Sequence, residues 1–109
     1  MKLYNKLVRD KIPGIIEESG KSFEIAHAVD LNEYKLALYR KMQEELDEFA
    51  ENPSYEEAAD IWEVFSSICS CHDLDISEVT RTAVLKAAKR GGFKDRIILI
   101  SVEDDNYST

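Results

Sequence analysis

Apolar residues recur every three or four positions from Leu31 to Phe49, as Leu31, Tyr34, Leu38, Met42, Leu46 and Phe49. That spacing puts them along one side of a helix of 3.6 residues per turn. Asp30 followed by Glu33 has the form of a capping box and opens this helix at about Leu31. Asn52-Pro53 closes it near Glu51, because proline disfavours the helical conformation in the residue before it. Ser54 and Glu57 repeat the capping signature and open a second helix that runs to about Cys71. Its stripe holds Glu57, Asp60, Ile61, Val64, Phe65 and Ile68. The short connection at 52–54 makes the two helices antiparallel neighbours.

The flanking segments add smaller elements. "RDKIPGIIEESGK" reads as a short helix, with Pro13 in its first turn and Gly20 past its end. "SFEIAHAV" is compatible with a short strand or an extended connection. Asp75 and Glu78 form a third capping signature, opening a helix that runs to Arg90, with Gly91 and Gly92 able to supply the left-handed cap. "RIILISVE" is β-branched and apolar and reads as a short strand. The expected architecture is all-α, an antiparallel helical bundle with at most a small β element near the C-terminus. One domain is expected over 1–103, followed by a mobile acidic tail at 104–109.

The acids break the usual division between a core face and a solvated face. Glu45 lies three residues after Met42 and four before Phe49, so it belongs to the apolar stripe, and Glu48 follows beside it. Glu44 also neighbours Glu48 but is rotated away from the stripe. Glu57 and Asp60 open the corresponding face of the second helix. The hairpin therefore brings Glu45, Glu48, Glu57 and Asp60 together from facing helices. Like charges packed so closely repel, and each resists leaving water. Protonation, pairing with Lys or Arg, or a bound cation would relieve them. A hard divalent ion suits oxygen ligands best, because Mg²⁺ favours carboxylates, waters and phosphates. Taken singly, each of these acids is more often a surface residue, and Glu57 doubles as a capping residue. Two pairs flanking one tight turn are more specific. Glu51, Glu56 and Glu63 are read as facing solvent or standing behind the candidate ligands.

Composition narrows the possibilities. The 109 residues suffice for one domain with a modest core, and 44% hydrophobic content fits a folded chain. A net charge of −8 argues against nucleic-acid polymers and anionic membranes as partners. It leaves room for an anionic small molecule, because a divalent cation reverses the local sign. No apolar run approaches a membrane span, and "MKLYNKLVRDK" lacks the apolar core of a signal peptide, so a cytoplasmic location is expected. Cys69 and Cys71 are too few and too close for a disulfide framework. "CSCH" lacks a second ligand pair and fits a helix end with Cys69 packed inside. His27 and His72 are isolated, and no Ser-His-Asp or Cys-His arrangement is evident, which disfavours a covalent intermediate. Trp62 and Phe93 are candidates for base stacking, but aromatics at helical spacing more often belong to the core, and both are left outside the candidate site.

The pattern E-x-x-E, a short spacer, then E-x-x-D resembles the hallmark of the all-α nucleoside triphosphate pyrophosphohydrolases, the MazG-like superfamily. Here it reads Glu45-x-x-Glu48 and Glu57-x-x-Asp60. "YNKLVRDKIPGII", and "LKAAKRGGF" followed by "IILI", resemble the phosphoribosyl-ATP pyrophosphohydrolase-like house-cleaning branch, so the likeness runs from Tyr4 to Leu99. It implies Mg²⁺-dependent cleavage of an α–β phosphoanhydride to a nucleoside monophosphate and pyrophosphate, with Mn²⁺ as a possible substitute ion. The resemblance makes Glu45, Glu48, Glu57 and Asp60 the metal ligands. Glu44 matches an extra acid that binds metal or orients the attacking water.

A triphosphate also needs cationic donors. Lys6, Arg9 and Lys11 cluster early, and Lys86, Lys89 and Arg90 share one side of the late helix. Arg9, Lys11, Lys86, Lys89 and Arg90 are the candidate phosphate-binding residues. Lys89 and Arg90 are also the cations a helix C-terminus ordinarily attracts. Arg9 can hold phosphate bidentately, whereas Lys86 would act as a point charge. The resemblance further implies a homodimer or homotetramer. The alternatives are hydrolysis of phosphoribosyl-ATP in histidine biosynthesis and, in another class, a non-catalytic divalent-metal-binding or interaction module.

Overall fold

The computed structural model describes residues 2–103; the expected tail at 104–109 lies outside the described residues. Four helices follow in order, α1 (Ile12–Glu18), α2 (Leu31–Glu51), α3 (Tyr55–Cys71) and α4 (Ile76–Arg90), and the fold is all-α. The chain divides into two compact units, one running up to Ile76 and one from Ser77 onward. None of the helices is long and apolar enough to cross a membrane.

The caps explain the boundaries of the two long helices. Asp30, extended at φ −146°, accepts the Glu33 N–H at 2.8 Å and so starts α2. Glu33 reaches back to the Val29 N–H at 3.0 Å, one residue short of the usual capping-box target. α2 stops at Asn52, whose N–H donates to the Glu48 carbonyl at 3.0 Å before Pro53. Ser54 then caps α3 by accepting the Glu57 N–H at 3.1 Å. Past the end of α3, the Leu74 N–H returns to the Cys69 carbonyl at 2.9 Å, through Asp73 at φ +60°, a conformation aspartate tolerates. Gly20 (φ +79°) and Gly91 (φ +82°) occupy left-handed positions just beyond α1 and α4, where a side chain would add strain.

In the first unit α2 packs on α3. Contacts run in reverse order along the two helices, from Tyr39 with His72 at one end towards Glu45 with Asp60 nearer the turn, so they are antiparallel. The apolar interior is small. Leu38 is 2% exposed, Cys69 4% and Val64 9%, and Glu45 sits among them at 5%. Cys69 is thus inside and near the end of α3, as its position in "CSCH" implied. Tyr34, Met42, Phe49, Ile61 and Ile68 are half-buried, whereas Leu31, Leu46 and Phe65 remain exposed. The Tyr39 hydroxyl and His72 Nε2 share a hydrogen bond at the far end of the hairpin, which gives His72 a structural role.

In the second unit, α4 buries none of its residues and ends on Lys89 and Arg90. The expected strand at 96–103 does not form: these residues belong to no ladder. A strand needs partners for its N–H and C=O groups, and no strand occurs among the described residues to provide them. The same holds for 22–29, which is a connection. Residues 97–100 accordingly leave their apolar side chains largely exposed.

Leu38 is the best-buried apolar side chain and lies opposite α3. Leu38→Ala should therefore destabilise the protein by about 2–5 kcal/mol in chemical denaturation. A loss below about 1 kcal/mol would mean the hairpin interior is not the core.

Candidate metal centre

The hairpin turn brings acids from both helices together at one end of the interface. Glu45 of α2, and Glu57 and Asp60 of α3, each place a carboxylate oxygen so that all three lie within 4.8 Å of one another. The cause is local. Glu57 is fixed on the first turn of α3 by the Ser54 cap, Asp60 follows one turn later, and Glu45 faces them from the buried side of α2. Glu48, also on α2, is exposed and outside this group, although its charge reaches both Glu45 and Lys6.

Three basic side chains bear on the acids. Lys41 Nζ lies 3.2 Å from Glu45 Oε1 and 3.4 Å from Glu44 Oε1, and its side chain is only 16% exposed. Lys6 donates to Glu44 at 2.8 Å, and Arg9 donates to Asp60 at 2.7 Å. Glu45 Oε2 and Glu57 Oε2 nevertheless remain buried with no hydrogen-bond partner. Burial raises the Glu45 pKa above the ordinary carboxylate range, with the charges of Glu48 and Asp60 adding to it and Lys41 opposing it. Glu44 goes the other way: the hydrogen bond from Lys6 lowers its pKa, helped by Lys41 and opposed by burial. Lys6 and Arg9 are raised in turn by their hydrogen bonds to Glu44 and Asp60.

A cleft of about 400 Å³ opens beside the cluster, bounded by the N-terminal arm, α2 and α3. Arg9, Lys11, Lys41, Glu45 and Asp60 line it, with Leu7, Tyr34 and Leu38 among the apolar walls. That volume is in the range of small-molecule sites. Arg9 and Lys11 therefore share one space with two of the acids. Lys86, Lys89 and Arg90 are exposed on α4 in the second unit. Trp62 stacks obliquely near Phe65, with ring centroids 6.5 Å apart, and Phe93 is 98% exposed.

The residue that sequence reasoning missed is Lys41. Its signal was present: a lysine three residues before Glu44 and four before Glu45 shares their side of a helix. Lys6 was grouped with the early basic residues, but its pairing with Glu44 across 38 positions had no local signal.

The donor set suits a hard cation. It consists of carboxylate oxygens, two of them buried and unpartnered, and the site can therefore be tested against Mg²⁺ by its own chemistry. No family model matches the chain, nor does any curated protein or solved structure in the comparisons made.

Glu45 also predicts a pH effect. Its folded pKa lies above that of the unfolded chain, so the native state holds the extra proton. Stability from this group is greatest below the ordinary value of 4.5 and declines as pH rises through the folded pKa. In metal-free buffer, Glu45→Gln should melt higher than wild type at pH 7, with the difference shrinking as pH falls through the raised folded pKa and nearly gone below 4.5. A pH-independent difference in melting temperature would show that desolvation of this carboxylate is not the cause.

Proposed function

We propose that the protein is a divalent-metal-dependent nucleoside triphosphate pyrophosphohydrolase, releasing a nucleoside monophosphate and pyrophosphate. The observation that carries this reading is the trio Glu45, Glu57 and Asp60 beside a cleft that also holds Arg9 and Lys11. Carboxylates alone would repel a phosphate chain, and basic residues alone would need no buried acids. Their combination fits a ligand that is a cation and a polyphosphate together. The resemblance of Glu45-x-x-Glu48 and Glu57-x-x-Asp60 to the MazG-like pattern points the same way, and the house-cleaning branch is favoured by "YNKLVRDKIPGII".

In this reading Glu45, Glu57 and Asp60 hold Mg²⁺, with Mn²⁺ able to replace it, and the exposed Glu48 contributes from the rim. The bound ion supplies charge neutralisation for the phosphates and a more acidic water as nucleophile. Arg9 grips phosphate oxygens through its planar fork, and Lys11 adds charge along the cleft. Lys41 keeps one oxygen of Glu45 occupied and leaves the other buried without a partner. Glu44, whose pKa Lys6 and Lys41 lower, would in this reading orient the attacking water. Lys86, Lys89 and Arg90 are further candidates for phosphate.

Self-association belongs to the same proposal. Leu46 (46% exposed), Trp62 (54%) and Tyr55 (96%) leave substantial apolar surface uncovered on the two helices that bear the site. A homodimer or homotetramer would cover it. Sedimentation equilibrium should give a mass of at least twice the 12.5 kDa of one chain; a monomer at micromolar concentration contradicts this part.

The activity test is a panel of nucleoside triphosphates, including non-standard bases, incubated with Mg²⁺ and assayed for pyrophosphate. Phosphoribosyl-ATP belongs in the panel, and preference for it would reassign the substrate. Asp60→Asn and Glu48→Gln should each lower turnover by at least the roughly 10–100-fold that loss of an outer metal partner costs. Orthophosphate as the first product would mean β–γ cleavage and sink the proposed reaction. Mg²⁺ binding without cleavage of any panel member would favour a binding module.

A further inference from the structure

The N-terminal arm delivers two cations to the acidic cluster from distant sequence. Arg9 Nη2 lies 2.7 Å from Asp60 Oδ1, and Lys6 Nζ lies 2.8 Å from Glu44 Oε1. Both pairs are partly open to water; the Arg9 side chain is 57% exposed and that of Asp60 36%. Ion pairs in this setting are weak and part readily. Residues 2–9 belong to no helix or strand, so the arm can release its side chains without breaking a ladder. The inner part of the cluster is different. The Glu45 side chain is 6% exposed, and its Oε2, like that of Glu57, has no partner.

Arg9 thus faces two demands that exclude each other. While it pairs with Asp60, it neutralises a carboxylate that a cation needs and holds one of its two oxygens. To hold phosphate, it must leave that oxygen. One displacement satisfies both demands at once. Building on the metal-dependent reading above, we propose that Arg9, supported by Lys6, is the resident counter-ion of the site, so that a divalent cation and a phosphate-bearing ligand reinforce each other's binding. A cation arriving at Asp60 frees the Arg9 guanidinium, whose fork fits two phosphate oxygens. An anion capturing Arg9 frees Asp60 Oδ1 for the cation. Thermodynamic linkage makes the two effects equal in size. Lys41 does not take part. It is largely buried on α2 beside Glu44 and Glu45 and does not belong to the arm.

The test is calorimetric titration of Mg²⁺ into the intact wild-type chain, R9Q and K11Q, with wild type and R9Q repeated in inorganic phosphate. Lys11 lines the same cleft but belongs to none of the ion pairs among the described residues, so K11Q controls for the loss of one positive charge. Without phosphate, R9Q should bind Mg²⁺ at least about fivefold more tightly than wild type, the lower end of ordinary site–site coupling. K11Q should gain clearly less. Phosphate should tighten Mg²⁺ binding to wild type and leave R9Q unchanged. Equal Mg²⁺ affinity in wild type and R9Q, an equal gain in K11Q, or no effect of phosphate on wild type overturns the counter-ion role while the metal site stands. No Mg²⁺ binding to any of the three overturns the metal reading and this inference together.

Discussion

Carboxylates crowded onto the inner face of a helical hairpin govern the chemistry of this molecule. Glu45 is nearly as well buried as Cys69, and it faces Glu57 and Asp60 at close range. A charged carboxylate withdrawn from water is costly unless it is paired and fully hydrogen-bonded. The chain compensates in layers. Lys41 neutralises part of the charge from within the helix, and Lys6 and Arg9 approach from the arm. Two oxygens are still left without partners, so the cluster retains an unmet demand for a positively charged group. Such a demand is destabilising for the isolated fold, and under the proposed reading a bound cation would meet it.

The surrounding scaffold is modest. Leu38, Val64 and Cys69 are its well-buried apolar side chains, and much of the remaining hydrophobic content faces outward. Small domains bury a smaller share of their surface, so additional apolar contact has a large effect on their stability. Acids placed within so small an interior take positions that hydrophobic residues would otherwise fill. Association of chains through the exposed faces of α2 and α3 would supply the contacts that the cluster displaces.

Much of this was legible in the sequence because it is local. The caps at Asp30 and Ser54, the stop at Asn52-Pro53 and the 3.6-residue period set the hairpin almost to the residue. Glu45, Glu57 and Asp60 could be placed on facing sides because helix spacing and a short turn leave little freedom. Glu48 shows where that reasoning loosens: one turn along α2 from Glu45, it is exposed and outside the close group. The ion pairs of Lys6 and Arg9 span 38 and 51 positions and depend on the path of an irregular arm, which no periodicity encodes. The "RIILISVE" segment failed as a strand for a related reason. Its β-branched residues state a preference, but a ladder requires a partner that local sequence does not specify.

The central claim is that Glu45, Glu57 and Asp60 form the seat of a hard divalent ion. Anomalous diffraction from crystals of the protein grown with Mn²⁺ tests it directly. The account predicts a manganese peak bonded to oxygens of these three residues, at roughly the 2.0–2.2 Å expected for a small hard divalent ion. Crystals saturated with Mn²⁺ that show no peak there, and Arg9 still bound to Asp60, would contradict it.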